Sequence, residues 1–177
     1  MPNTYSQAVG VVKGTFIPEK DLVITHDGTQ YPASCVPGVR RFYERKPEEA
    51  AKARYLVCWP RTSETGTQIH LCVTDAPADP ARQASLKREA GRFRVSGVVT
   101  NQRSRLNKVV VRVVRSFAVP KPCRKWSQFS NHLLFLSGRA SPAAGFANKH
   151  ATFVCDLEGQ ALRIRSIEDS QEPEVSV

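Results

Sequence analysis

A chain of 177 residues with 41% hydrophobic residues suits one domain of ordinary size, or at most two small ones, and can build a core. This composition excludes disorder of the whole chain. No run of apolar residues is long enough to span a membrane and residues 1–10 lack a secretory signal, so we expect a soluble, cytoplasmic protein without a membrane partner.

Short runs rich in Val, Ile, Leu and Phe recur along the chain, and most are too short for helices but suit strands. They span residues 8–17, 22–25, 30–36, 55–59, 68–74, 92–100, 108–117, 132–137, 152–156 and 161–167. Gly10 and Gly14 interrupt the first run, as in a strand that bends around a barrel. The Asp27-Gly28 pair and residues 157–160 predict hairpin turns.

Two segments favour short helices. Residues 46–54 have Pro47 at a first helical position, acids in the first turn and bases in the last. Residues 79–91 begin with an Asp79 cap and end at a glycine. We therefore predict a mainly β fold, a small antiparallel barrel or OB-like architecture of about eight or nine strands with two short helices.

The predicted domain covers residues 1–167, followed by an acidic, mobile tail at residues 168–177. Two related halves, 1–78 and 92–167, are the alternative. It is suggested by the similarity of Val9-Gly10-Val11-Val12 to Ser96-Gly97-Val98-Val99, although four residues do not establish a repeat.

The positive charge is concentrated in residues 82–125, which contain thirteen Lys or Arg residues and one acid, Glu89, a local excess of +12. The rest nearly cancels, with nine bases and nine acids before this segment and four bases and six acids after it. Such a concentrated field attracts polyanions, of which nucleic acid is the most abundant inside a cell. Exposed strands also carry Lys and Arg for solubility, but mixed charges would serve that purpose equally well.

Strand alternation predicts how these bases are presented. Phe93, Val95 and Val99 should face the core, and a partly apolar, basic outer face should include Val110 and Val114. A loop at residues 101–107 should continue the basic stripe. The candidate phosphate-binding residues are Arg92, Arg94, Arg103, Arg105, Lys108, Arg112, Arg115, Arg124 and Lys125.

Aromatic residues are the second requirement of single-strand binding, because exposed bases stack on them. Trp126 is our stacking candidate, since it follows the Arg124-Lys125 pair. Tyr55, Trp59 and Arg61 also lie close together in the sequence, but we expect Trp59 to fill the barrel.

The short strands, the glycine-containing run at residues 95–99 and the basic hairpin up to Arg115 resemble an OB-fold nucleic-acid-binding module. The resemblance covers residues 92–167, or about the whole chain if residues 5–74 build an equivalent half. It implies that a nucleic-acid strand crosses a barrel face and is clamped by hairpin loops such as 101–107. The acidic tail resembles those of single-strand-binding proteins in charge, although it ends in Val175-Ser176-Val177 without their terminal aromatic residue.

We predict no catalytic residue, cofactor or metal. His70-Leu71-Cys72 is the nearest approach to a zinc site and supplies two ligands where four are needed. The acids lie mainly away from the basic segment, and no glycine-rich phosphate-binding loop occurs. Five widely spaced cysteines, an odd number, favour reduced thiols.

The expected function is non-enzymatic binding of single-stranded DNA or RNA. Single strands are preferred to a duplex because the sequence contains no recognition helix, whereas a basic β-face suits single strands. The alternative is an interaction or accessory subunit whose basic face docks an acidic protein, with the tail engaging another partner. An enzyme with a basic substrate channel is a third reading, and no motif supports it.

Overall fold

The structure is a computed structural model and describes residues 7–103, 107–113, 129, 132–138 and 147–168, with the backbone alone at 101–103. Its strands are β1 (Gln7–Ile17), β2 (Leu22–Thr25), β3 (Gln30–Cys35), β4 (Arg54–Thr62), β5 (Ile69–Asp75), β6 (Arg92–Arg103), β7 (Lys108–Arg112), β8 (Leu133–Ser137), β9 (His150–Glu158) and β10 (Ala161–Glu168). The predicted mainly β fold is confirmed. The described residues form ten strands rather than eight or nine, because each of the ten apolar runs contains a strand of its own.

Strands β1 to β5 close into a small barrel. β1 pairs with both β2 and β4, and β2 pairs with β3. β3 then runs parallel to β5, which pairs with β4 and completes the ring. A closed five-stranded barrel of this kind is compatible with an OB-like fold.

Strands β6 to β10 repeat this order of pairing. β6 pairs with β7 and β9, β7 pairs with β8, and β9 pairs with β10. A parallel contact between β8 and β10, at Ser137 and Arg163, completes a second ring. β1 and β6 also pair with each other, so both rings belong to one ten-stranded sheet. Two related halves would have this topology, and the domain boundaries themselves stay a prediction.

Gly14 and Gly97 mark the places where the first strand of each ring changes partner. β1 passes from β4 to β2 at Gly14, and β6 reaches its pairing with β7 just after Gly97. A Cβ atom would lie 2.7 Å from the Ile24 carbonyl oxygen at Gly14, and 2.4 Å from the Arg112 carbonyl oxygen at Gly97. Glycine therefore permits the close crossing of backbones. Gly97 corresponds in position to Gly14, and not to Gly10 as the four-residue similarity suggested.

One hydrophobic core extends through both rings. Leu56 of the first ring and Phe153 of the second are fully buried in it. Phe93, Val95 and Val99 of β6 also face this core, as strand alternation predicted. Burying such a side chain contributes about 1.5–3 kcal/mol relative to leaving it exposed, so the alternation of β6 fixes which of its residues face outward.

The helices agree only in part with prediction. Helix α2 (Pro80–Lys87) occupies the predicted segment 79–91, and the Asp79 side chain caps it by accepting a hydrogen bond from the Arg82 backbone N–H at 2.8 Å. The other helix, α1 (Pro37–Arg45), lies between β3 and β4 and was not predicted. It begins with proline at a first helical position and packs Val39 and Tyr43 into the core.

The helix predicted at residues 46–54 is wrong. Only a short 3₁₀ turn, Pro47–Glu49, forms there, and β4 begins at Arg54. The Arg54 guanidinium is buried, bonds to the Glu49 carboxylate and lies over the Phe42 ring. The acids and bases that suggested a helix dipole therefore include Glu49 and Arg54, which form an ion pair between the 3₁₀ turn and β4.

Two further contacts join the rings. The Tyr31 hydroxyl of β3 donates a hydrogen bond to the Gly159 carbonyl in the β9–β10 turn, at 2.6 Å. At another place, the Phe135 backbone N–H of β8 donates to the Thr62 hydroxyl of β4, at 2.8 Å. Both contacts hold the second ring against the first.

β10 ends at Glu168, so the first residue of the predicted acidic tail belongs to a strand. The remaining tail, residues 169–177, lies outside the described residues. Within the described ranges, no helix has the length and apolar character needed to cross a membrane.

Candidate nucleic-acid interface

The outer face of β6 carries the first two candidate phosphate-binding residues. Arg92 and Arg94 alternate with buried residues, and both side chains are exposed. Arg94 lies opposite Val154 of β9 on one side and Val9 of β1 on the other. The two arginines therefore stand within a continuous outer sheet surface.

The Arg94 side chain binds the carboxylate of Glu168. Its Nη2 atom lies 2.5 Å and 2.6 Å from the two carboxylate oxygens of Glu168, the last residue of β10. The two side chains stay 60% and 45% exposed, so the pair is open to solvent. Charge-assisted hydrogen bonds of this type also bind phosphate oxygens, so this guanidinium is suitably placed for an anionic ligand.

Arg92 and Arg112 are exposed and make no ion pair with any other described residue. Arg112 lies on β7 opposite Val98, six positions after Arg92 along β6. At about 3.3 Å per residue, the outer row of β6 between these positions spans about 20 Å. Arg92, Arg94 and Arg112 therefore form a basic row on the outer face of β6 and β7, and Arg92 and Arg112 lie at its two ends.

The ammonium group of Lys108 is bound by neighbouring groups of the protein. Its Nζ atom donates to the Gly66 carbonyl at 3.1 Å and to the Ser137 hydroxyl at 2.5 Å. The side chain is half-buried, and this burial lowers the pKa of Lys108. Lys108 therefore ties the β6–β7 hairpin to the β4–β5 loop, which limits its reach toward a ligand.

The outer surface predicted around Val110 is wrong. Val110 is only 4% exposed and lies opposite Phe135 of β8, which is also buried. Gly66 of the β4–β5 loop approaches Phe135 closely, since a Cβ atom there would lie 2.8 Å from the Phe135 Cβ. The first ring covers this part of the hairpin, and alternation within one strand does not reveal such a neighbour.

The predicted loop at residues 101–107 is shorter than expected. β6 continues to Arg103, which pairs with Lys108, so Arg103 is a strand residue rather than a loop residue. The Arg103 side chain lies outside the described residues, as do five further candidates: Arg105, Arg115, Arg124, Lys125 and Trp126.

Two aromatic side chains, Tyr55 and Trp59, form an aromatic row on the outer face of β4. Both side chains are half-buried. The expectation that Trp59 fills the barrel is wrong, because the side chains of β4 that face the core include those of Leu56 and Cys58. Lys13 of β1 lies opposite Tyr55, with its Nζ atom 5.8 Å from the ring centroid. Alternation with Leu56 and Cys58 is the signal that identifies this row.

Arg61 does not belong to this exposed surface. It is 1% exposed, and burial lowers its pKa. His70 is completely buried, and burial together with the nearby Arg61 charge lowers the pKa of His70 to about 3. The His70 ring also lies 5.5 Å from that of Phe129. Arg61, His70 and Phe129 are therefore buried residues, and they do not form a surface that is open to a ligand.

The described residues contain no group of three or more His, Cys, Asp or Glu side chains that could hold a metal ion. Cys35, Cys58 and Cys155 are buried thiols, and burial raises the pKa of each. Thiols in such surroundings are poor nucleophiles and metal ligands, since the thiolate is the reactive form.

Comparison with protein-family models, curated proteins and solved structures finds no match to this chain. The basic row on β6 and β7 and the aromatic row on β4 are therefore the features of the described residues that bear on function.

Proposed function

We propose that this protein binds single-stranded DNA or RNA through the outer face of β6 and β7. The observation that carries the proposal is the pair of exposed, ion-pair-free arginines within the described structure, Arg92 and Arg112, at the ends of one basic row. They belong to the segment with a local charge excess of +12. Phosphate groups are the ligands that such a row of guanidinium groups binds most favourably.

The preference for single strands comes from the nature of the surface. The basic residues stand on strands, and half-buried aromatic residues lie on β4, which β1 separates from β6. Rings of this kind stack with unpaired bases, whereas paired bases are already stacked within a duplex. Both described helices are short, and the proposal assigns neither of them to a nucleic-acid groove.

Docking of an acidic protein is the second candidate, because Arg94 binds the carboxylate of Glu168 in this structure. A partner rich in Asp and Glu would place similar carboxylates against the same row. Such an interface would depend on salt as well, since exposed charges are screened.

The test is a titration of labelled single-stranded DNA, single-stranded RNA and duplex DNA, followed by fluorescence anisotropy at several salt concentrations. We expect a single strand to bind most tightly, with log K falling against log salt at a slope of about −3 to −5, which corresponds to four to seven phosphates. No binding near physiological salt would contradict the proposal and favour the acidic protein partner.

A further inference from the structure

The outer face of β4 presents aromatic side chains that phosphate binding does not require. Tyr55, Val57 and Trp59 alternate with the core residues Leu56 and Cys58, and the three outward side chains are half-buried. Tyr55 and Trp59 are therefore only partly covered by the rest of the protein. Exposed ring surface on a strand is the feature on which single-strand binders stack bases.

A positive charge lies directly over one end of this row. Lys13 is exposed on β1 opposite Tyr55, and its Nζ atom stands 5.8 Å from the centroid of the tyrosine ring. A base that stacks on this face of Tyr55 would take the place of the ammonium group, and the flexible Lys13 side chain could then bind the phosphate of the same nucleotide. Aromatic contact and phosphate neutralisation are thus available at the same position.

The same sheet connects the other end of the row to β6. Gly10 of β1 lies opposite Cys58, the residue before Trp59 in β4. On the other side of β1, Val9 lies opposite Arg94 of β6. β4, β1 and β6 are successive strands of the sheet, so two strand spacings, about 10 Å, separate the β4 row from the outer face of β6. A single strand of nucleic acid that crosses β1 can therefore contact both.

Helix α2 brings further bases to the side of β4. The Gln83 side chain accepts a hydrogen bond from the Tyr55 N–H at 2.8 Å and donates one to the Tyr55 carbonyl at 3.0 Å. Lys87 and Arg88, at the end of this helix, are exposed. The aromatic row is consequently bordered by positive charge on β1, on β6 and near α2.

We propose that Tyr55 and Trp59 form a stacking row for unpaired bases, with the phosphates of the same strand held by Lys13 and Arg94. This inference rests on the proposed function and deepens it. It extends the binding surface from the second ring onto the first, through the pairing of β1 with β6. It also assigns base contact to described residues of β4.

The test uses tryptophan emission as a local probe. The chain has two tryptophans, so Trp126→Phe leaves Trp59 as the sole emitter. We expect titration with an unlabelled single-stranded oligonucleotide to quench this emission in parallel with the anisotropy change of a labelled one. We further expect Trp59→Leu to weaken binding about five- to hundredfold, and Trp59→Phe to retain most of the affinity because the ring remains.

Phe42→Leu is the matched control, because Phe42 is a half-buried aromatic residue on α1 and outside the row. Folding of each variant is checked by thermal unfolding. If Trp59→Leu fails to fold, Tyr55→Leu and the quenching titration still test the row. Unchanged Trp59 emission and wild-type affinity in the ring variants, with salt-dependent binding intact, would overturn the stacking row and leave the proposed function standing. Absence of binding by the wild type would overturn both.

Discussion

Arg94 and Glu168 join the start of β6 to the end of β10 through contacts of 2.5 Å and 2.6 Å from one guanidinium nitrogen to both carboxylate oxygens. Because both side chains are largely exposed, the pair contributes only about 0–1 kcal/mol to stability. Its functional consequence is larger under our proposal, since Glu168 occupies a guanidinium that a phosphate would use. Under this proposal, a phosphate that binds Arg94 displaces this carboxylate.

We therefore expect Glu168→Gln to raise the affinity for a single-stranded oligonucleotide about two- to fivefold, as measured by anisotropy at constant salt. Glu158→Gln is the control, because Glu158 pairs with Arg163 and the substitution removes the same charge. If both variants raise the affinity equally, the effect comes from net charge alone and the local competition is refuted.

The glycine at the partner exchange of β6 gives a prediction about stability. Gly97→Ala would place a Cβ atom 2.4 Å from a backbone oxygen and 2.9 Å from a Val111 methyl group. Backbone atoms cannot move aside without breaking the pairing with β7, so we expect a loss of about 1–3 kcal/mol or more. Gly38→Ala in α1 meets no atom within 4 Å and should be neutral or stabilising. Urea unfolding of both variants measures the difference, and equal midpoints would refute the close crossing.

The buried His70 predicts acid sensitivity in a defined range. Its pKa is about 3 in the folded protein and 6.5 when exposed, so the unfolded chain binds a proton that the folded chain excludes between these values. Stability should fall as the pH drops from about 6.5 toward 3. We expect His70→Phe to flatten this fall in urea unfolding between about pH 6.5 and pH 4.5. An unchanged slope would show that His70 does not carry it.

The lowered pKa of Glu49 predicts a second loss of folding stability, at lower pH than the loss caused by His70. Hydrogen bonds from Lys52 and Arg54 lower its pKa from 4.5 to about 2. The folded state therefore favours the ionised carboxylate, and the resulting stability is present above about pH 4.5 and is lost as the pH falls toward 2. Glu49→Gln should be less stable than the wild type at neutral pH, with the difference shrinking in acid. A difference that is independent of pH would contradict this assignment.

Local sequence patterns predicted most strands because alternation and turn chemistry act over a few residues. The Asp27-Gly28 turn has that character, since the Asp27 carboxylate accepts a hydrogen bond from Thr29 at 3.0 Å and Gly28 has a positive φ. The helix predicted at residues 46–54 is wrong because Arg54 belongs to β4, where it pairs with Gly14 and lies over the Phe42 ring. No local pattern contains that information.

The candidate site also combines features that follow from local sequence patterns with features that depend on tertiary packing. Exposure of Arg92 and Arg94 follows from alternation with buried neighbours. By contrast, the tethering of Lys108 to Gly66 and the burial of Val110 depend on where the first ring lies against the second. The acidic partner of Arg94 is 74 residues away in the chain, a separation that spacing rules do not cover.

The most direct test of the account compares two charge reversals of equal size. Arg92→Glu with Arg112→Glu changes the ends of the basic row, whereas Arg40→Glu with Arg41→Glu changes exposed arginines of α1. Anisotropy titrations with single-stranded DNA over a range of salt should show a marked loss of affinity only for the first pair. The slope of log K against log salt should become shallower by about 1.4 for two lost phosphate contacts. Equal losses for both pairs would contradict a localised binding face on β6 and β7.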